Sequence, residues 1–275
     1  MASRFLRILT NIDRRIIYAA VSLSVVVPLI FKFPMPIPIS PETVALYDRV
    51  EAIPDSSTII LTFDYYPSTL AETEPMSVAA LKQCWRKDLK IITLSTVGLG
   101  GPSIADRVMA TMAEQFGKVY GVDYVNLGYK ANYQAVLLGL GKSFRSIYPT
   151  DFYGTPLDSL PILREIDNFE GVEFIFIVSD NTIVDFWVGL VNAQYGTEMG
   201  AGVTAVMAPK FYAYVRANQL VGLLGGMKGA AEYEELVGAI GMATAGMGAQ
   251  SMVHLIIIFF IIMGNIAYFI GRREK

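Results

Sequence analysis

Two uncharged apolar runs near the ends of the chain constrain its fold more than anything between them. The later one, MVHLIIIFFIIMGNIAYFIG (252–271), is long enough at 1.5 Å per residue to cross a hydrocarbon core of about 30 Å. It reads as a transmembrane helix. The earlier one, IIYAAVSLSVVVPLIF (16–31), covers roughly 24 Å, and Lys32 can snorkel while the apolar FPMPIPI after it extends the contact. A cleaved signal peptide would also have a basic start and a short apolar core. No small-x-small cleavage site follows, however, because the chain runs straight into KFPMPIPISP, so an uncleaved anchor is the better reading.

Basic residues set the expected orientation. Arg4, Arg7, Arg14 and Arg15 precede the first run, and Arg272, Arg273 and Lys275 follow the second, which predicts a two-pass protein of the cell membrane with both termini cytoplasmic. The intervening segment then faces outward. Between residues 33 and 250 there are 14 Lys and Arg against 23 Asp and Glu, a balance of 14 − 23 = −9. That excess acid argues against nucleic acid and against adhesion to anionic lipid. The whole chain of 275 residues is 53% hydrophobic and 17% charged, too apolar for a soluble domain and too charged for a helical bundle in lipid.

The outward segment alternates in period. STIILTFDY (57–65), KIITLSTV (90–97), DYVNLGY (123–129), EFIFIVSD (173–180) and AGVTAVMA (201–208) are short, β-branched apolar runs; helical patterns fill 77–87, 103–116, 133–144 and 183–195. Strands alternating with helices predict a doubly wound α/β fold, with a mainly parallel sheet of about five strands flanked by two transmembrane helices. The expected map is a cytoplasmic N-terminus (1–15), a first span (16–32), a Pro-rich spacer with a short helix (33–56), the α/β domain (57–217), a small-residue-rich helical segment (218–250), a second span (251–271) and a cytoplasmic tail (272–275). The connection TDFYGTPLDSLPILREIDNFEG (150–171), with a short helix expected near 160–166, is long enough to be either a functional loop or a cap on the sheet edge.

Ligands of open α/β sheets bind beyond the carboxyl ends of the strands. Candidate ligand-binding residues there are Asp64, Gly98, Gly100, Gly101, Ser103, Lys130, Asp180 and Asn181, expected to converge on one rim. The turn GLGGPSIADR (98–107) would offer a helix N-terminus to an anion. It lacks the third glycine of a dinucleotide fingerprint and the Gly-Lys of a P-loop, so a tight structural turn is the stronger reading. The loop DYYPSTLAETEP (64–75) either closes over a ligand or merely routes the chain. The only histidine, His254, lies in the second span, which excludes a Ser–His–Asp triad on the rim. For a serine nucleophile, a Ser–Lys pair, Ser103 or Ser179 with Lys130, is what remains. With no cysteine pair and no histidine cluster, no metal or cofactor is expected.

Small residues recur four apart in NQLVGLLGGMKGAAEYEELVGAIGMATAGMGAQSM (218–252), at Gly222, Gly225, Gly226, Gly229, Gly241 and Ala245. On a helix such rows allow close approach of another helix, and Lys228 and Glu232 have the spacing of an ion pair. The sequence therefore predicts a non-catalytic scaffold in the bilayer, self-associating or joined to other membrane proteins through this segment. A ligand-sensing module using the rim, and a hydrolase, are the alternatives.

Overall fold

The computed structural model describes residues 13–31 and 38–273. Arg4, Arg7, Lys275, Lys32 at the end of the expected first span and residues 33–37 of the expected spacer lie outside the described residues. The chain forms two compact units: one comprises Ile37–Ala243, and the other holds the two apolar helices. Helix α1 spans Arg14–Phe31.

The larger unit runs α2 (Pro41–Glu51), β1 (Thr58–Asp64), α3 (Leu70–Arg86), β2 (Lys90–Ser95), α4 (Gly101–Phe116), β3 (Tyr124–Tyr129), α5 (Tyr133–Leu140), α6 (Phe144–Ile147), β4 (Phe174–Ser179), α7 (residues 183–195), β5 (Met199–Val203), α8 (Ala208–Arg216), β6 (Leu223–Gly225) and α9 (Gly226–Leu236). Helix α10 (Met242–Arg273) follows. The strands make one parallel sheet in the order β3-β2-β1-β4-β5-β6.

Both faces of this sheet are covered, which is why TIILTFD and FIFIVS are buried at every position and carry no polar alternation. Ile60, Ile92, Val125 and Ile177 point to one face and join Leu137, Trp187, Val188 and Phe211 from α5, α7 and α8 in a single core. On the other face α3 packs against α2, α4 and α9. Strand β5 (MGAGV) lacks side chains where those helices press closest: a Cβ at Gly200 would meet Leu46 of α2, and one at Gly202 would sit 2.8 Å from Met76 Sδ of α3. The long connection after α6 forms three short 3-10 turns and places Leu157, Leu160, Ile162 and Leu163 in the core. Arg145 ties it down through Asp158 and Asp167. It caps the sheet rather than lying free.

Two expectations are corrected. The sheet has six strands, not about five, and the sixth is the three-residue LLG at the start of the glycine-rich segment. That segment is consequently not a helix from 218 onward. A Cβ at Gly222 would meet the α2 backbone, one at Gly225 would sit 3.1 Å from Ala208, and one at Gly229 would lie 2.8 Å from the Leu224 backbone. Gly226 turns the chain from β6 into α9 with φ +62°, a conformation that favours glycine. Gly241 abuts the Glu234 carboxylate, which accepts its N–H at 3.0 Å. These glycines let the domain's own elements approach. Ala245 is buried on α10.

The Lys228–Glu232 pair forms within α9, and it is part of a larger clamp on α2. The almost wholly buried Glu232 carboxylate also accepts from Ser40 Oγ at 2.9 Å and Thr43 Oγ1 at 2.7 Å. Replacing Thr43 by valine keeps the shape but strands a lone pair of a buried anion. The expected loss is about 1–3 kcal/mol, visible in thermal unfolding as a fall of roughly 2–4 °C per kcal/mol.

Candidate ligand site at the switch point of the sheet

Strands β1 and β4 are neighbours, and the connections leave them in opposite directions, β1 toward β2 and β4 toward β5. Such a reversal opens a crevice beyond the carboxyl ends of the two strands. Here it is lined by Tyr66, Thr96, Val97, Tyr133, Asn181 and Phe186, among others, and encloses about 140 Å³. The rings of Tyr133 and Phe186 meet edge to face, with centroids 4.7 Å apart, as one wall.

Beneath it lies Asp64, the last residue of β1, fully buried. Its Oδ1 accepts from Thr96 N at 2.6 Å and Thr96 Oγ1 at 2.7 Å, and its Oδ2 accepts from Trp187 Nε1 at 3.3 Å. Burial pushes the Asp64 carboxyl above its ordinary value, while the donors of Thr96, Thr62 and Trp187 pull the other way. Trp187 opens the π-helical stretch Trp187–Asn192 inside α7; such widened turns recur at functional sites.

Asp180 and Asn181, just past β4, lace the crevice to β1. Asp180 Oδ2 accepts from Tyr66 N and from Thr69 Oγ1, each at 2.8 Å. Asn181 Nδ2 donates to the Asp64 carbonyl at 2.9 Å, and its Oδ1 accepts from Ile183 N at 2.9 Å at the start of α7. Asp64, Asp180 and Asn181 are thus brought together, with Thr96 and Trp187 completing the network.

The glycine turn borders this crevice through Val97 but is shaped by packing. Gly100 has φ +91°. A Cβ at Gly98 would press on the Tyr129 ring, and one at Gly101 would strike Ser95 Oγ and lie 2.9 Å from the Phe63 carbonyl oxygen. The expected loop 64–75 is a 3-10 turn, Pro67–Thr69, that leads directly into α3. Ser103 is exposed on the first turn of α4. The Ser–Lys pair does not form: among the described residues no hydrogen bond joins Ser103 to Lys130, and Ser179 Oγ is engaged with the backbone of Asn181.

Lys130 belongs to a separate depression of about 300 Å³ beyond β3, shared with Tyr129, Tyr148, Asp151 and Phe152. No group of three or more metal-ligating side chains gathers among the described residues. Nothing in FWVGL or SIYPT marks Trp187 or Tyr148 as a side chain that turns toward a strand end. No known family, curated protein or solved structure matches the chain.

Proposed function

We propose that this protein is a membrane-anchored α/β binding module whose switch-point crevice takes a small polar ligand. The observation that carries the reading is the crevice itself, a concave site at the carboxyl ends of β1, β2 and β4 held in shape by the Asp64 network. Pre-formed concavities at this place in a parallel sheet are where small molecules bind. Asp64 serves as a strut, with its oxygens already engaged. Tyr66, Tyr133 and Thr182 offer the accessible polar groups.

Anchoring is supported by α1 and α10, which are long and apolar enough to span a bilayer. Nearly all of the apolar stretch of each is uncovered by the rest of the chain, and Phe259, Ile261 and Ile262 of α10 are more than half exposed. A core helix of a soluble protein would be buried. With the flanking basic residues, a two-pass arrangement with both termini cytoplasmic and the α/β domain outside fits best. The scaffold reading is the weaker one, since Gly222, Gly225, Gly226 and Gly229 are occupied by the domain's own packing.

The test uses the full chain in lipid nanodiscs and a thermal-shift screen of small polar metabolites. Thr182→Trp should fill the crevice, leave the unliganded unfolding temperature unchanged and abolish the hits. A screen without hits, or hits that survive in Thr182→Trp, refutes the crevice as the binding site. Alkaline carbonate extraction checks the anchor: the chain should stay in the membrane pellet, and its release would refute spanning.

A further inference from the structure

The depression beyond β3 presents donors that the fold leaves unused. Tyr148 is 1% exposed and its buried hydroxyl has no hydrogen-bond partner, a rare condition for a buried polar group. Lys130 Nζ sits 5.9 Å from the centroid of the Tyr148 ring, and Lys130 forms no ion pair among the described residues. The one carboxylate in the wall is already satisfied: Asp151 accepts from Tyr120 Oη at 2.9 Å, Tyr153 N at 2.9 Å and Thr155 N at 2.8 Å. Burial, and then the charge of Asp64, push the Tyr148 phenol up, so it remains an O–H donor at neutral pH. Lys130 and Tyr148 therefore line one hollow, the ammonium over the phenol ring and the phenol hydroxyl unpartnered.

Two aromatic side chains complete it. Tyr129 and Phe152 are 42% and 39% exposed, and both line the hollow with Lys130 and Tyr148. Flat apolar faces beside a cation and a neutral donor complement a ring that carries a negative group. We propose that this depression is a second ligand site, distinct from the switch-point crevice, which binds a small ring-bearing carboxylate or phosphate monoester: Lys130 and Tyr148 take the anion, and Tyr129 and Phe152 hold the ring.

Isothermal titration of the full chain in nanodiscs with phenyl phosphate and benzoate tests this, with inorganic phosphate and benzyl alcohol separating the anion from the ring. At least one ring-bearing anion should bind, and both controls should bind ~10-fold or more weakly. Lys130→Met should weaken binding by ~10-fold and Tyr148→Phe by ~5-fold, with Tyr148→Phe as stable as the parent because its hydroxyl has no partner to lose. If Tyr148→Phe does not fold, the exposed Lys130→Met variant still decides. Thr182→Trp should leave the affinity unchanged, so failure of the crevice and failure of this site are told apart. Absence of binding by both ring-bearing anions at millimolar concentration, equal binding in Lys130→Met, or loss of binding in Thr182→Trp each overturns the proposal.

Discussion

Gly222→Ala is expected to destabilise the α/β domain by about 3 kcal/mol or more, a fall of roughly 6–12 °C in unfolding temperature for a domain of this size. A Cβ there would strike the Glu42 carbonyl oxygen and lie 2.7 Å from both the Leu46 backbone nitrogen and its Cβ. Those atoms belong to the body of α2 and have no rotamer in which to retreat. Moving α2 would uncover Leu46 and Val50, both wholly buried. The sign of the effect matters more than its size. Were Gly222 on an exposed helix face, alanine would stabilise by about 1 kcal/mol. Gly189 in α7 supplies the control, since a Cβ there meets nothing within 4 Å; Gly189→Ala should leave the unfolding temperature unchanged or raise it slightly. Parallel melts in which Gly222→Ala is no worse than Gly189→Ala would refute the docking of α2 at this strand.

That contrast shows why one part of the fold was legible and another was not. Runs such as TIILTFD and FIFIVS announce strands buried on both faces, since only a covered parallel sheet uses continuous β-branched sequence. Strand β6 has three residues and sits among glycines whose spacing also suits a helical interface. Spacing alone does not say whether a missing side chain makes room for a neighbouring helix or for the chain's own α2. The candidate rim was readable as a set of strand ends, and Asp64, Asp180 and Asn181 do meet there. Lys130 does not join them because strand order is tertiary information: β3 lies at the sheet edge, two places from β1, or about 10 Å at the usual strand spacing. Trp187 escaped for a related reason, as the π-helical turn that directs its indole to Asp64 leaves no periodic mark in the sequence.

Removing the Trp187 side chain should be the most damaging change at the site. Trp187 is fully buried in the core, so Trp187→Ala is expected to cost about 3–5 kcal/mol from the cavity and, by loosening the crevice, to weaken any ligand bound there. Trp187→Phe is the sharper test, since it keeps a ring and deletes only the donor to Asp64 Oδ2; about 1–3 kcal/mol is expected at neutral pH. The pH dependence follows from the direction of the Asp64 shift. Burial raises its folded pKa above the ordinary 3.8, so its contribution to stability is fully present below 3.8 and is lost as pH rises through the folded value. Loss of the Trp187 donor raises the folded pKa further, and the penalty of Trp187→Phe should therefore grow from acidic to neutral pH. In an Asp64→Asn background, where nothing titrates at this position, the same substitution should cost the same across that range. Denaturant unfolding of the four proteins at pH 4 and pH 7 separates the outcomes: a Trp187→Phe penalty that is flat in pH with Asp64 present would mean that the indole stabilises the site by packing alone, and that the carboxylate beneath the crevice does not depend on it.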